Sequence, residues 1–383
     1  MSTVMPESFI PLAKPFAGER EIQAVVEVLK SGWWSTGPGV SQFEKEMVEY
    51  LGGGLDAVAL NSCTAGLFLA LKALGVGPGD EVLVPTLTFA ATSHVVEWCG
   101  AKPVLCDIDP KTLNLSVASM KDRATKQTRV VIPVHIAGYP CAMDEILEFA
   151  GSRDLKVVED AAHAIGTSFL DKKIGQHGDA VVFSFYATKN LACGEGGMVV
   201  SKDSKLIESV RSLSYFGIDK KAHESEAGKG TWYYQIRDLG FKFNFDEIHA
   251  AIGRVQLENL ERNNSKRREI ARIYDEGINK RIERPVYETM HTHSRHLYPV
   301  FLPGHLDRDR FVSKLRENGI GTSVHFIPLH RHEYFQSSWR NSDFPGVESI
   351  ADGLVSLPLY PELEKDSVNR VVDAVNHVFK ELS

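Results

Sequence analysis

The sequence predicts an α/β protein with a large domain on a mostly parallel sheet and a smaller C-terminal domain of α+β character, divided into 1–250 and 251–383. Three observations predict it. Short apolar runs recur through the first half of the chain, and stretches of helical period separate several of them, an alternation that builds a parallel sheet covered by helices. A long helical pattern begins near Asp246. Beyond it come two further strand-like runs and a closing helix, and 383 residues are enough for a second, smaller core.

The elements follow in chain order. The first strand, 57–60, enters the polar turn Asn61-Ser62-Cys63-Thr64, after which 65–74 reads as an apolar helix. Strands come next at 82–85, 103–106 and 130–135, and a helix at 143–150. The β-branched run 157–159 ends on Asp160. Strand 181–185 leads into Tyr186-Ala187-Thr188-Lys189-Asn190, closed by Gly194-Glu195-Gly196-Gly197, and 198–201 completes the series. The helix from Asp246 carries apolar Ile248, Ala251, Ile252, Val255, Leu257 and Leu260. Strands at 298–302 and 321–326 and a helix at 367–382 finish the chain, with no internal repeat and no low-complexity segment.

Lys189 stands just past a buried strand. Beside apolar residues an ammonium loses solvation, its pKa falls, and the neutral amine can condense with an aldehyde to a Schiff base. Asp160 ends a parallel strand roughly thirty residues earlier, about one strand-crossover-strand unit. In an open α/β sheet the carboxyl ends of the strands line the ligand crevice, so the two side chains can face one pocket. Asp160 also suits the N-cap of a helix starting at Ala161. The turn before the first helix offers free N–H groups, hydroxyls and a helix dipole to a phosphate, although ordinary capping by Ser62 or Thr64 looks the same. Ser184 adds a hydroxyl there or is a half-buried strand serine.

These residues resemble the sugar-nucleotide aminotransferases of the DegT/StrS family, which depend on pyridoxal phosphate (PLP) and belong to the fold-type-I superfamily. The resemblance runs over nearly the whole chain. It is carried by Ser31-Gly32-Trp33-Trp34-Ser35-Thr36-Gly37-Pro38 with Phe43-Glu44, and by Gly79-Asp80-Glu81-Val82-Leu83-Val84-Pro85-Thr86-Leu87-Thr88-Phe89. The Glu159-Asp160 strand, the lysine loop, Gly240-Phe241-Lys242-Phe243-Asn244 and Val324-His325-Phe326-Ile327-Pro328-Leu329-His330 follow in order.

The resemblance implies a seven-stranded sheet with one antiparallel strand. It implies that Lys189 holds PLP as a Schiff base, Asp160 pairs with the pyridinium, Phe89 stacks on the ring, and His163 contacts the ring face or phenolic oxygen. Cys63, Thr64, Ala65 and Ser184 would hold the phosphate, which Asn244 reaches from the neighbouring subunit of a homodimer. L-glutamate would be the amino donor and a keto sugar linked to a nucleoside diphosphate the acceptor, with Trp34, Thr36, His325 and His330 on the nucleotide-sugar side.

The chain departs from the family pattern at two positions. Cys63 stands where the family usually has glycine, which restricts backbone approach. Tyr186 stands where close relatives often have histidine. His163 occupies a position where many relatives have glutamine, and with His325-Phe326 and His330 it points to enzymes that aminate C4, such as those acting on UDP-4-keto-pentose. Amination at C3, a PLP-dependent sugar dehydratase and a non-catalytic regulatory relative are the alternatives. A dehydratase calls for histidine in place of Lys189, and retention of Lys189 and Asp160 weighs against a regulator.

A net charge of −7 and a pI near 6.1 argue against nucleic acid as a partner. The densest basic run, Lys266-Arg267-Arg268 with Arg272, reads as a solvated helix face. The five cysteines lack C-x-x-C spacing and read as reduced thiols. No His-Glu-x-x-His pattern marks a metal. Residues 1–7 lack a leader pattern and no apolar stretch approaches membrane-spanning length, so the expectation is a soluble, cytoplasmic enzyme without membrane contact.

Overall fold

The computed structural model describes residues 9–219 and 234–383; the N-terminal stretch 1–7 lies outside the described residues. A seven-stranded sheet forms the larger core: β1 (Asp56–Leu60), β2 (Glu81–Pro85), β3 (Lys102–Cys106), β4 (Thr128–Val131), β5 (Lys156–Asp160), β6 (Ala180–Ser184) and β7 (Gly197–Ser201). Their spatial order is β1-β7-β6-β5-β4-β2-β3. Only β7 runs antiparallel to its neighbours, β1 and β6; the remaining pairs are parallel. Every residue of β6 and β7 is buried, as expected of strands covered on both faces.

Strand parity decides which residues meet. Val58, Val82, Val158, Val182 and Val199 point into the core on one face, whereas Ala57, Leu83, Val157, Val181 and Val200 point into the core on the other. Asp160 and Ser184 share the parity of Val158 and Val182 and lie on the face covered by the helix Cys63–Ala73. Glu159 points the opposite way. There its carboxylate accepts from Gly178 N–H at 2.5 Å and lies 2.9 Å from the Nε2 of fully buried His135.

Two predicted strands differ. The run at 130–135 stops as a ladder at Val131, because Pro133 has no N–H to give; the chain rejoins β5 by the single Val134–Asp160 bridge, with Asp160 N–H donating to Pro133 O at 2.9 Å. The run at 321–326 forms no strand. Its backbone bonds are divided, Gly321 N–H going to Ile10 O and Ser323 exchanging bonds with Ser356. The ladder of the smaller core is instead β8 (Tyr298–Phe301) against β9 (Leu354–Leu357).

The helix Glu247–Gly277 is capped by Asp246, which accepts from His249 N–H at 2.9 Å. At about 1.5 Å per residue its 31 residues span roughly 46 Å. Ala250, Leu257 and Leu260 pack in the larger core, whereas Ile270, Ala271 and Tyr274 pack in the smaller one with Val371, Val375 and Val378 of the helix Lys365–Leu382. The 250/251 boundary therefore falls inside a helix whose first half stays with the sheet. Arg267 is not on a solvated face: it is buried, donating to Leu359 O at 2.8 Å and His296 O at 3.4 Å. All five cysteines are free and buried, and no helix of the described residues is long and apolar enough to cross a membrane.

Candidate active site

The carboxyl ends of β5 and β6 open on a cavity of about 480 Å³ whose lining includes Lys189, Asp160, His163, Ser184, Phe89 and His325. The lysine loop is held on both sides. Phe185 N–H donates to Gly196 O, Cys193 N–H to Phe185 O and Lys189 N–H to Tyr186 O, each at 2.8 Å. Lys189 is half-buried, and desolvation, against the opposing pull of Cys63 and Asp160, brings its amine down to about 8.

Asp160 lies buried on the cavity floor. Its Oδ2 accepts from Thr92 Oγ1 at 2.9 Å and its Oδ1 from Ala162 N–H at 3.1 Å. Burial pushes its pKa up, while those two bonds and the Lys189 amine resist. The Ala162 N–H bond closes a local turn and not the helix cap expected from the sequence, since no helix follows Asp160 before Ser168, and the carboxylate remains on the cavity wall, available to a cation there.

The turn after β1 is shaped by close approach. Ser62 caps the helix Cys63–Ala73, accepting from Ala65 N–H at 3.1 Å. The first N–H groups of the helix lack intrahelical partners and the turn lines the cavity at Ser62, Cys63 and Thr64. Room for the turn comes from Gly197 and Gly66. A Cβ on Gly197 would stand 2.4 Å from Cys63 N, and one on Gly66 2.5 Å from Val182 Cγ1. Cys63 turns its Sγ onto the sheet, 3.8 Å from Val182 O, so its side chain does not occupy the approach that the departure from glycine put in question.

Three imidazoles surround the lysine. Burial, then the nearby Lys189 and His325, hold His163 well below the usual histidine range. His325 is brought down to about 4 by burial and Lys189, with its Nδ1 3.0 Å from Ser356 Oγ. His296, unremarked in the sequence, also lines the cavity, its ring 4.4 Å from that of His163. Phe89 stands more than half exposed at the mouth, 6.0 Å from Phe326.

Other expected residues lie elsewhere. Ala65 is buried with its N–H spent on Ser62 and does not line the cavity. Asn244 donates to Thr36 Oγ1 at 2.7 Å and Thr36 Oγ1 to Phe245 O at 2.5 Å, a cluster outside the cavity of its own chain. Trp34 is exposed, its indole N–H 3.3 Å from Leu29 O. His330 corrects the expectation of a ligand-facing histidine. It is buried beneath Phe344 with both ring nitrogens committed, Nδ1 to Thr86 Oγ1 at 2.7 Å and Nε2 to Glu348 at 2.8 Å. Thr92 and His296 had no sequence signal, since neither sits in a motif whose spacing implies a ligand.

The DegT/DnrJ/EryC1/StrS aminotransferase family model matches residues 15–376. The chain belongs to this family. It is a PLP-dependent sugar aminotransferase. The aminotransferase is 42% identical over 381 residues to the spore coat polysaccharide biosynthesis protein SpsC of Bacillus subtilis, covering 97% of each chain. A proposed sugar aminotransferase, Spr1654 of Streptococcus pneumoniae in its PMP form, superposes with a TM-score of 0.93 at 30% identity, over 98% of this chain and 100% of that one. DesV of S. venezuelae superposes at 0.85 with 34% identity over 95% of each.

The aminotransferase's own residues fit the cofactor. A buried carboxylate with no bonded cation faces the cavity at Asp160, His163 Nδ1 is buried without a partner, and a lysine amine of lowered pKa lines the same cavity as the helix-opening turn.

Proposed function

We propose that the enzyme transfers the amino group of L-glutamate to C4 of a keto sugar linked to a nucleoside diphosphate. What carries the reading is the convergence of Lys189, Asp160, His163 and the Ser62–Thr64 turn on one cavity. Asp160 would hold the pyridine nitrogen of PLP, Phe89 and His163 its ring, and Cys63, Thr64 and Ser184 its phosphate. Bound PLP supplies an electron sink for the carbon that bears the transferred amine. Lys189 Nζ would hold the cofactor and would move the proton at that carbon. Its lowered pKa leaves it able both to take and to return a proton near neutrality. His325 is neutral and belongs to the sugar side of the cavity.

The active unit is a two-fold homodimer in which Asn244 of each chain serves the phosphate held by the other. Its support is the placement of Asn244 and Thr36 together, outside the cavity of their own chain. Trp34 and Thr36 face the nucleotide from that side. Five unpaired cysteines suit a reducing, cytoplasmic setting. His163, standing where glutamine is common in the family, supports C4 over C3.

The test is turnover of matched 3-keto and 4-keto sugar nucleotides with glutamate, following 2-oxoglutarate and locating the new C–N bond by NMR. Amination only at C3 sinks the C4 assignment. Mixing Lys189→Ala with Asn244→Ala chains regenerates one intact site per mixed dimer, and no recovery of activity counts against the shared site.

A further inference from the structure

We infer that His296 presents the lone pair of its Nε2 as a hydrogen-bond acceptor for a hydroxyl of the sugar substrate. The acceptor follows from the geometry alone, and the sugar from the function proposed above.

A chain of amides with only one possible polarity fixes the tautomer. It begins at the carbonyl of Ile165, which can only accept. Asn264 Nδ2 donates to it at 3.2 Å, turning Asn264 Oδ1 toward Asn190. Asn190 Nδ2 donates to that oxygen at 2.7 Å and to Ser294 O at 2.9 Å, so the second amide is fixed twice over. Its Oδ1 then faces His296 Nδ1 at 3.0 Å. An amide oxygen accepts only, so Nδ1 carries the proton and a neutral ring has its lone pair on Nε2. Burial, with His163 and Lys189 adding to it, keeps the ring neutral by holding its pKa well below the usual value.

His163 does not take that lone pair. An N–H···N bond of about 2.9 Å between imidazoles places their centroids more than roughly 5 Å apart. These rings lie 4.4 Å apart, and His163 Nδ1 is without a partner. The lone pair is therefore left for a ligand in the cavity that His296 lines with Lys189 and Asp160. The carboxylates of an amino donor bring only lone pairs of their own, and its ammonium is the reacting group. A sugar hydroxyl is the donor that stays intact through the reaction.

The tautomer is read from ¹⁵N-histidine-labelled apoprotein at neutral pH, with His296→Phe assigning the signal. A protonated Nδ1 and bare Nε2 are expected; a protonated Nε2, or an imidazolium, overturns the inference. The ligand half uses a nucleotide-linked 4-keto-6-deoxy sugar and its 2-deoxy and 3-deoxy analogues. Removing the bonded hydroxyl lowers kcat/KM about tenfold in the native enzyme, the worth of one hydrogen bond, and that penalty vanishes in His296→Phe. A penalty of the same size in both enzymes, or none in the native enzyme, overturns the hydroxyl assignment. Should the variant not fold, the native nitrogen signals, assigned by their coupling to Asn190, still decide the tautomer. Absence of turnover with every keto sugar defeats the proposed substrate and the hydroxyl together, and is told apart from a wrong tautomer by the nitrogen spectrum.

Discussion

Lys189 offers a direct measurement of how the cavity sets reactivity. Its amine has a pKa of about 8 against an ordinary 10.5. The difference of 2.5 units makes the neutral form about 300 times more abundant at pH 7, roughly one amine in eleven rather than one in three thousand. Because the nucleophile is the unprotonated amine, reactivity rises with pH and levels off above the pKa. The assay treats apoprotein with a small neutral aldehyde over a pH series, traps adducts with cyanoborohydride and counts modification at Lys189 by mass, so that no titration of PLP enters. A midpoint near 8 is expected. In Asp160→Asn the midpoint should fall further, since the carboxylate is one of the groups holding the proton on. A native midpoint near 10.5, or no movement in the variant, refutes the account of burial opposed by charge.

Asp160→Asn also removes the charge that a pyridinium would face, at a cost of roughly 2–5 kcal/mol in transition-state stabilisation, or some thirtyfold and more in kcat/KM, with little change in denaturant midpoint. Gly197→Ala puts a Cβ against the Cys63 backbone, where nothing flexible can yield, and should destabilise the fold by about 1–3 kcal/mol and speed loss of PLP on dialysis; retention as in the native enzyme would show that the turn does not hold the phosphate. His330→Ala leaves Thr86 and Glu348 without their partner and should lower stability by about 1–3 kcal/mol while KM for the sugar nucleotide stays put, because the ring does not reach the cavity. A raised KM with unchanged stability would restore it to the substrate side.

Strands were legible where burial dictates composition. β6 and β7 carry apolar runs because both faces are covered, β5 carries a shorter one at Val157-Val158, and the acid that ends β5 and the lysine that follows β6 stand out for that reason. The cavity itself was legible at Asp160, His163, Ser184 and Lys189, which cluster at strand ends. What could not be read was anything that depends on a distant stretch of chain. His296 reaches the cavity because Ser294 and His296 bond back to Gly138 and Ala137, contacts across some 150 residues. His330 reads as a site residue until Phe344 and Glu348 cover it. The same holds for Arg267, whose basic neighbours suggest solvent and whose actual partners are carbonyls from two other segments. At 321–326 the apolar pattern suits a strand, but its bonding partners are supplied by Ile10 and Ser356.

The helix Glu247–Gly277 has a consequence for how the molecule comes apart. One rod belongs to two cores, so neither can lose its order without stripping apolar surface from the other; Leu260 and Tyr274 sit on the same continuous hydrogen-bonded spiral. Melting should then be a single cooperative event, with damage in the smaller core felt as loosening around the sheet. A cut at the apparent junction would not release two modules but two incomplete pieces, one without the beam that roofs it. For recombination or grafting, the exchangeable unit is the whole chain.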